Sequence, residues 1–493
     1  MSRALKANGI ALLCLFTLST TRAQQPIATV VPKKAPTLKK AKDQMQQSIP
    51  ELMRKANIPG LQIALLENAK TSWRGEFGLK NNSTRQPVSK DTIFEAASLS
   101  KPVFAYGVLK LVDAGKLDLD VPLTTYLPKP YIEGDDRLKL ITARIVLSHR
   151  TGFRNWRGDG NPLTICFTPG SRFSYSGEGF VYLQKVVEQI TGKPLNDYMT
   201  EAVFAPLHMN SSSYTWRPDF DGRTATGHDA DATPREKRKP SEANAASSLH
   251  TTASDYALFL EAVMKGTGLR QATLRSMEAP QIAVDPACTN CTERLPKELS
   301  RELFWGLGWG IVQTGYGEML WHWGDNGAFK CFVAAYPKQK KGVIFFANSE
   351  NGLAIAEEIV QLALGSDPPV FHWIKYDRYD SPAMRFSAAV REQGTNTAVA
   401  EFDKDLKSGA ISEDSLNSTG YRLLEGKKLD DAIAVFALNV QLHPDSANAC
   451  DSLGEAYMDK GDVPLAILNY ERSLQLDPKN KNAVEILKKL RSK

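Results

Sequence analysis

The chain has 493 residues and a formal net charge of +6, with 42% hydrophobic and 24% charged residues. So mild a charge argues against a strongly basic nucleic-acid binder, and no nucleic-acid recognition module is legible. The length points to more than one domain.

Residues 1–23 read as a secretory signal. Arg3 and Lys6 precede an apolar stretch from Ile10 to Leu18, and Thr21-Arg-Ala23 offers a small-residue cleavage site. That stretch is too short to span a bilayer, and no later one is long and apolar enough. The mature protein is therefore expected to be soluble and periplasmic or secreted, after cleavage near Ala23. Residues 24–41, with Pro26, Pro32, Pro36 and Lys33, Lys34, Lys39 and Lys40, read as a flexible basic leader.

Lys42 to Ala56 reads as a helix. Leu61–Glu67 and Ser72–Gly78 read as two strands of a hairpin. The stretch from Thr92 to Gly115 reads as an extended lead-in and a core helix, because Val103, Phe104, Tyr106, Val108, Leu109, Leu111 and Val112 leave almost no polar face. Thr142–His149 is a short helix capped by Thr142, and Phe180–Thr191 is another. Residues 217–245 are polar and read as a long surface excursion. Thr252–Gly266 is helical. Gly310–Thr314, Met319–His322, Cys331–Tyr336 and Gly342–Asn348 are strand-like, and a helix closes the unit at about Leu353–Leu364. Two strands, then helices, then several strands and a helix predict an α+β fold: an antiparallel sheet flanked by helices, with an all-helical subdomain, over residues 42–365.

Beyond the signal, five cysteines remain: Cys166, Cys288, Cys291, Cys331 and Cys450. Cys288-Thr-Asn-Cys291 lies in a polar loop. A tight disulfide, half of a metal site and a redox pair all fit its spacing. With no second Cys-x-x-Cys and no nearby histidine cluster, a local disulfide is the better reading and no metal is expected. Cys331 reads as a buried core residue. Nothing suggests a cofactor.

Three short motifs carry chemistry. Ser98-Leu-Ser-Lys101 stands at the head of the core helix, and the spacing of Ser98 and Lys101 puts them on one face, a turn apart. An amine beside a hydroxyl, near a helix N-terminus, can make a serine nucleophilic. Tyr175-Ser-Gly177 occupies a turn-rich loop before the helix at Phe180, and its phenol can relay a proton if a cation such as Lys101 lowers its pKa. Trp321-His322-Trp323-Gly324-Asp325 ends a strand. Gly324 lets a substrate approach the backbone, and the N–H groups of Ser98 and Asp325 could form an oxyanion hole.

In this order and context, Ser98-x-x-Lys101, Tyr175-Ser-Gly177 and His322-Trp-Gly324 resemble the three active-site elements of the serine β-lactamase and penicillin-binding superfamily. The class C β-lactamase-like branch, with its esterases and D-aminopeptidases, is the nearest. Phe94–Ser98, Ile141–Gly152, Pro169–Tyr175 and Ala253–Asp255 support the resemblance, which covers about residues 42–365. It implies a serine hydrolase with Ser98, Lys101 and Tyr175 as catalytic residues, and His322, Gly324 and Gly177 binding substrate. Two departures stand out. Gly177 replaces the asparagine of the class C Tyr-x-Asn motif, and His322 replaces a lysine that recognises the β-lactam carboxylate. A histidine does so only weakly and titrates near neutral pH. The asparagine missing at Gly177 would have held a substrate amide carbonyl or the lysine, and His-x-Gly resembles the esterase and D-aminopeptidase side of the family.

After a linker at 366–380, which contains Pro368-Pro369, residues 381–493 show a fixed period. Gly420 and Gly454, Ala432 and Ala466, Phe436 and Tyr470, and Pro444 and Pro478 are equivalent pairs. This resembles tetratricopeptide repeats, which bind peptides or proteins or brace a neighbouring domain. The sequence therefore reads as an exported serine hydrolase acting on a small ester, amide or peptide. A true β-lactamase or peptidoglycan D,D-peptidase is one alternative. A non-catalytic protein that binds a partner on its repeats is the other.

Overall fold

The computed structural model describes residues 36–158, 162–292 and 294–492. The signal and most of the basic leader lie outside the described residues. Strands β1 (Gly60–Glu67), β2 (Lys70–Asn81) and β3 (Gln86–Pro87) open the chain's sheet. Strands β4 (Phe94–Glu95) and β5 (His250–Thr251) pair separately. Strands β6 (Ile282–Ala283), β7 (Leu303–Trp305), β8 (Gly310–Thr314), β9 (Gly317–Asp325), β10 (Lys330–Tyr336) and β11 (Lys341–Ala347) complete the sheet. The nine strands run β3-β2-β1-β11-β10-β9-β8-β7-β6, every neighbouring pair antiparallel. Closing the sheet with β11 against β1 joins the first and last segments of the domain, as in Ile63 opposite Phe345.

Both faces of the sheet are covered, so its central strands are apolar throughout. Side chains alternate between two cores. Cys331, Val333, Ala335, Ile344 and Phe346 face one core with helices α2 (Ser100–Asp113), α3 (Ala143–Leu147), α4 (Gly177–Thr191), α5 (Leu195–Met199), α6 (Ala253–Lys265) and α7 (Gln271–Glu278). Phe332, Ala334, Tyr336, Val343 and Phe345 face the other, which is closed by helices α1 (Leu38–Lys55), α8 (Ala356–Leu364) and α9 (Val370–Ile374).

Two readings of the sequence need correction. Helix α1 starts at Leu38, capped by Thr37, so Lys39 and Lys40 are helical and not part of a leader. The polar stretch 217–245 is not simply a surface excursion. Thr224, Ala225, Thr226 and His228 are buried, and their segment bonds to β2, to Asn348 just past β11, and to the lead-in at Ile93. Its polar side chains are absorbed by backbone partners, as in the Thr224 hydroxyl on the Phe220 carbonyl.

Beyond α9 the chain is all helical, from α10 (Pro382–Gln393), α11 (Thr395–Glu401) and α12 (Asp403–Lys407) through α13 (Glu413–Glu425), α14 (Leu429–Leu442), α15 (Ala447–Lys460), α16 (Val463–Leu476) and α17 (Lys481–Arg491). The period seen in the sequence has a structural counterpart: Phe436 packs on Gly420, and Tyr470 packs on Gly454. Ion pairs Arg235–Glu425 and Arg391–Asp231 tie these helices to the sheet domain. Among the described residues, no helix is long and apolar enough to cross a membrane.

Candidate active site

The lead-in β4 pairs with β5, and the Ala96 N–H bonds the Leu249 carbonyl at 2.7 Å. The chain then turns sharply. Ala97 has φ of 46°, a left-handed conformation unfavourable for a side-chain-bearing residue. Ser98 lies in the 3₁₀ turn Ala97–Leu99, and α2 starts only at Ser100, with no side-chain cap. The turn is held from several sides: the Ser100 hydroxyl bonds the Ala97 carbonyl at 2.6 Å, and the Tyr256 hydroxyl bonds the Leu99 carbonyl at 3.1 Å.

Lys101 stands in the first turn of α2 and is fully buried. Its Nζ lies 3.0 Å from Ser98 Oγ and donates to the Ala246 carbonyl at 2.9 Å. No carboxylate pairs with it among the described residues, and burial pushes its pKa well below the usual lysine range.

Tyr175 closes the other side. Lys101 Nζ sits 4.8 Å from the centre of its ring, and its buried hydroxyl has no hydrogen-bond partner of good geometry. Burial raises the phenol's pKa, partly offset by the Ser98 hydroxyl. This reverses one expectation, that Lys101 would depress the phenol: desolvation outweighs any effect of the amine. His149, which the motifs did not single out as a site residue, positions Tyr175. Its ring stacks on the phenol at 4.2 Å between centres. Its carbonyl accepts the Ser174 N–H at 2.8 Å and its Nδ1 accepts the Ser176 N–H at 2.9 Å, so both neighbours of Tyr175 are anchored to it.

Strand β9 supplies the third element. His322 is fully buried, its Nδ1 donating to the Trp323 carbonyl at 2.7 Å. Burial, reinforced by Lys101, lowers its pKa to about 3. It is therefore neutral at physiological pH and does not titrate near neutrality, contrary to the reading from sequence. Trp323 and Asp325 of this strand line the open cleft. A Cβ on Gly324 would lie 2.6 Å from the Ala96 carbonyl oxygen and 2.4 Å from Cys331 Sγ. What closely approaches Gly324 is thus the turn that carries Ser98. Cys331 is buried, as read from sequence, and its Sγ lies 3.1 Å from the same Ala96 carbonyl.

These groups open into a cleft of about 580 Å³ that reaches Ser98 and Tyr175. Gly177 is the first residue of α4, and no side chain from it enters the cleft. Asn155 and Trp156 stand there instead. The Asn155 Oδ1 accepts the Gly177 N–H at 2.8 Å, and the Trp156 indole would lie 2.6 Å from a Cβ on Gly177. Arg238 lines the cleft but is paired with the buried Glu95, which also accepts from Asn326 Nδ2 at 2.8 Å. Cys288 and Cys291 form a disulfide, and the two residues between them, Thr289 and Asn290, face the cleft. Among the described residues no cluster of histidine, cysteine and acidic side chains could hold a metal ion.

Residues 45–364 match the family model described as Beta-lactamase. Esterase EstB of Burkholderia gladioli is 28% identical over 194 residues, 33% of this chain and 49% of that esterase. The chain thus spans about half the length of that relative. Penicillin-binding protein 4* of Bacillus subtilis is 23% identical over 61% of this chain and 70% of that protein. Among solved structures, the D-alanine carboxypeptidase AmpC of Burkholderia cenocepacia aligns over 66% of this chain and 99% of its own, with a TM-score of 0.54 and 19% identity. The octameric penicillin-binding protein homologue of Pyrococcus abyssi aligns over 71% and 82%, with a TM-score of 0.53 and 20% identity. With the family model spanning well over half of its length, and the fold shared with these structures, this chain belongs to the β-lactamase family of serine hydrolases.

Proposed function

We propose that the protein is an exported serine hydrolase that cleaves uncharged esters through an acyl-enzyme on Ser98. The observation that carries this reading is the buried Lys101 amine, 3.0 Å from Ser98 Oγ and paired with no carboxylate among the described residues. An amine with a depressed pKa is a better resting base than a phenol with a raised one. Lys101 takes the Ser98 proton as Oγ attacks the ester carbonyl carbon. The backbone N–H groups of Ser98 and Asp325 receive the oxyanion. The tetrahedral intermediate collapses, and the departing alkoxide takes a proton from Lys101 by way of the Tyr175 hydroxyl. Water then gives a proton to Lys101 as it attacks the acyl carbonyl carbon, and the second tetrahedral intermediate collapses with loss of Ser98 Oγ, which takes that proton back from Lys101 as the acid leaves.

Esters are favoured over β-lactams and D-Ala-D-Ala peptides by the charges around the cleft. His322 is neutral where the class C pattern has a lysine, and Arg238 is already held by Glu95. A substrate carboxylate finds no uncommitted cation in these positions. The C-terminal helices, read as tetratricopeptide-like repeats, serve as a docking or bracing module.

The test is Ser98→Ala in pure protein. Ester turnover should fall at least about 10³-fold, and labelling of the intact protein by a fluorophosphonate should disappear. Undiminished turnover in that variant would refute the assignment.

A further inference from the structure

The segment beyond the matched family region does more than connect two domains. Helix α9 folds back across the site. Trp373 packs 5.6 Å from both Trp321 and Trp323, and its indole N–H bonds the carbonyls of Asp285 at 2.9 Å and Cys288 at 3.0 Å. Lys375, at φ of 56°, then reverses the chain, which brings Tyr376 to the wall of the catalytic cleft. There the Tyr376 hydroxyl donates to Asp325 Oδ2 at 2.5 Å. The other carboxylate oxygen meets Lys330 Nζ at 2.5 Å and accepts the Gly327 N–H at 2.8 Å. Lys330 also lies 5.3 Å from the centre of the Tyr376 ring.

This arrangement answers an electrostatic problem. Asp325 carries the N–H assigned above to the oxyanion, and its own carboxylate faces the same cleft. A negative charge there opposes the negative charge that develops on the substrate oxygen, the more so where water is excluded. Lys330 and Tyr376 are the side chains that absorb it. We infer that Tyr376, contributed from outside the family domain, is a positioning residue of the hydrolytic site: it holds the Asp325 carboxylate and so keeps the oxyanion hole electrostatically open. The inference rests on the reading of Ser98 as the nucleophile. It also makes the linker between the two domains part of the active site. On its far side Tyr376 lines a second cavity, of about 250 Å³, shared with Lys330, Asn351, Met384 and Arg422 between the two domains.

The test is a double-mutant cycle on the full chain, with Tyr376→Phe, Asp325→Asn and the pair. Initial rates on p-nitrophenyl acetate are normalised to active sites titrated with fluorophosphonate, so that any misfolded fraction drops out. Tyr376→Phe should lower kcat about 10-fold, the scale of a hydrogen bond to a charged group, with KM within twofold. In the Asp325→Asn background the same substitution should lower kcat less than about twofold. An unchanged kcat, an effect confined to KM, or an equal loss in both backgrounds overturns the inference. Failure of the underlying reading looks different: wild-type protein would show no fluorophosphonate adduct and no turnover sensitive to Ser98→Ala.

Discussion

The Trp156 indole occupies the space that any side chain at position 177 would need, its ring carbons standing 2.6 to 3.0 Å from where a Cβ on Gly177 would be. The two residues are a matched pair. Gly177→Ala should lower kcat/KM on a small ester about 10-fold by displacing the indole beside Tyr175. Adding Trp156→Ala should restore most of that loss, since Trp156 is partly exposed and its removal leaves room. Steady-state kinetics of the two single variants and the double variant check this. Equal activity of Gly177→Ala and wild type would show that the indole moves aside freely.

The Glu95–Arg238 pair sets the charge of the cleft. Glu95→Gln keeps a hydrogen-bonding side chain but releases the guanidinium to the substrate. KM for an ester bearing a free carboxylate should then fall about 5-fold relative to a neutral ester of the same size, about 1 kcal/mol. The ratio of the carboxylate-bearing to the neutral ester's KM is the readout, and in the variant it should rise back toward the wild-type value at high salt.

Buried histidines make stability depend on pH. The His322 pKa is about 3 in the folded protein against an ordinary 6.5, so the unfolded chain binds the extra proton between those values. Stability is therefore full above pH 6.5 and declines as pH falls toward 3. Between pH 6.5 and 4.5 this one group accounts for up to about 3 kcal/mol. His149 acts in the same direction, since burial, with Lys101 and His322 nearby, also lowers its pKa. Urea unfolding at pH 7 and pH 4.5 should show the decline, and His322→Gln should make it shallower.

The disulfide places Thr289 and Asn290 at the cleft. Reduction, or Cys288→Ser with Cys291→Ser, should loosen that rim and raise KM about 3-fold, the scale of one or two rim hydrogen bonds. The rate of fluorophosphonate labelling at Ser98 should stay near wild type, because the turn that carries Ser98 is held by the Leu249 carbonyl and the Tyr256 hydroxyl.

The elements most legible in the sequence are those whose burial is uniform. Strands β10 and β11 are short, largely apolar runs between turn signals, and their observed limits lie within a residue of those read from the sequence. Ser98, Lys101 and Tyr175 stand out in the sequence because each sits in a local motif. Other residues around the cleft gave no such signal. Arg238 hides in a charged stretch whose partner, Glu95, is far away in sequence. Tyr376 meets Asp325 only because α9 and a left-handed Lys375 bend the linker back. Trp156 looks like any loop aromatic until Gly177 is placed beside it. Asn155 likewise meets Gly177 only through the fold. His149 could have been suspected from its place in Leu147-Ser-His149-Arg-Thr-Gly152, but its stacking on Tyr175 is a product of tertiary packing.

Because the backbone at Gly324 abuts Ala96 and Ala97, the strand end and the turn that carries Ser98 are in register like two teeth of one gear. Neither can slip without dragging the other. The rims, linker and appended helices of this chain can therefore be altered while the geometry between Ser98 and the end of β9 is kept. Engineering of new selectivity should therefore begin at Trp156, Arg238 and the Cys288–Cys291 loop, and leave that junction alone.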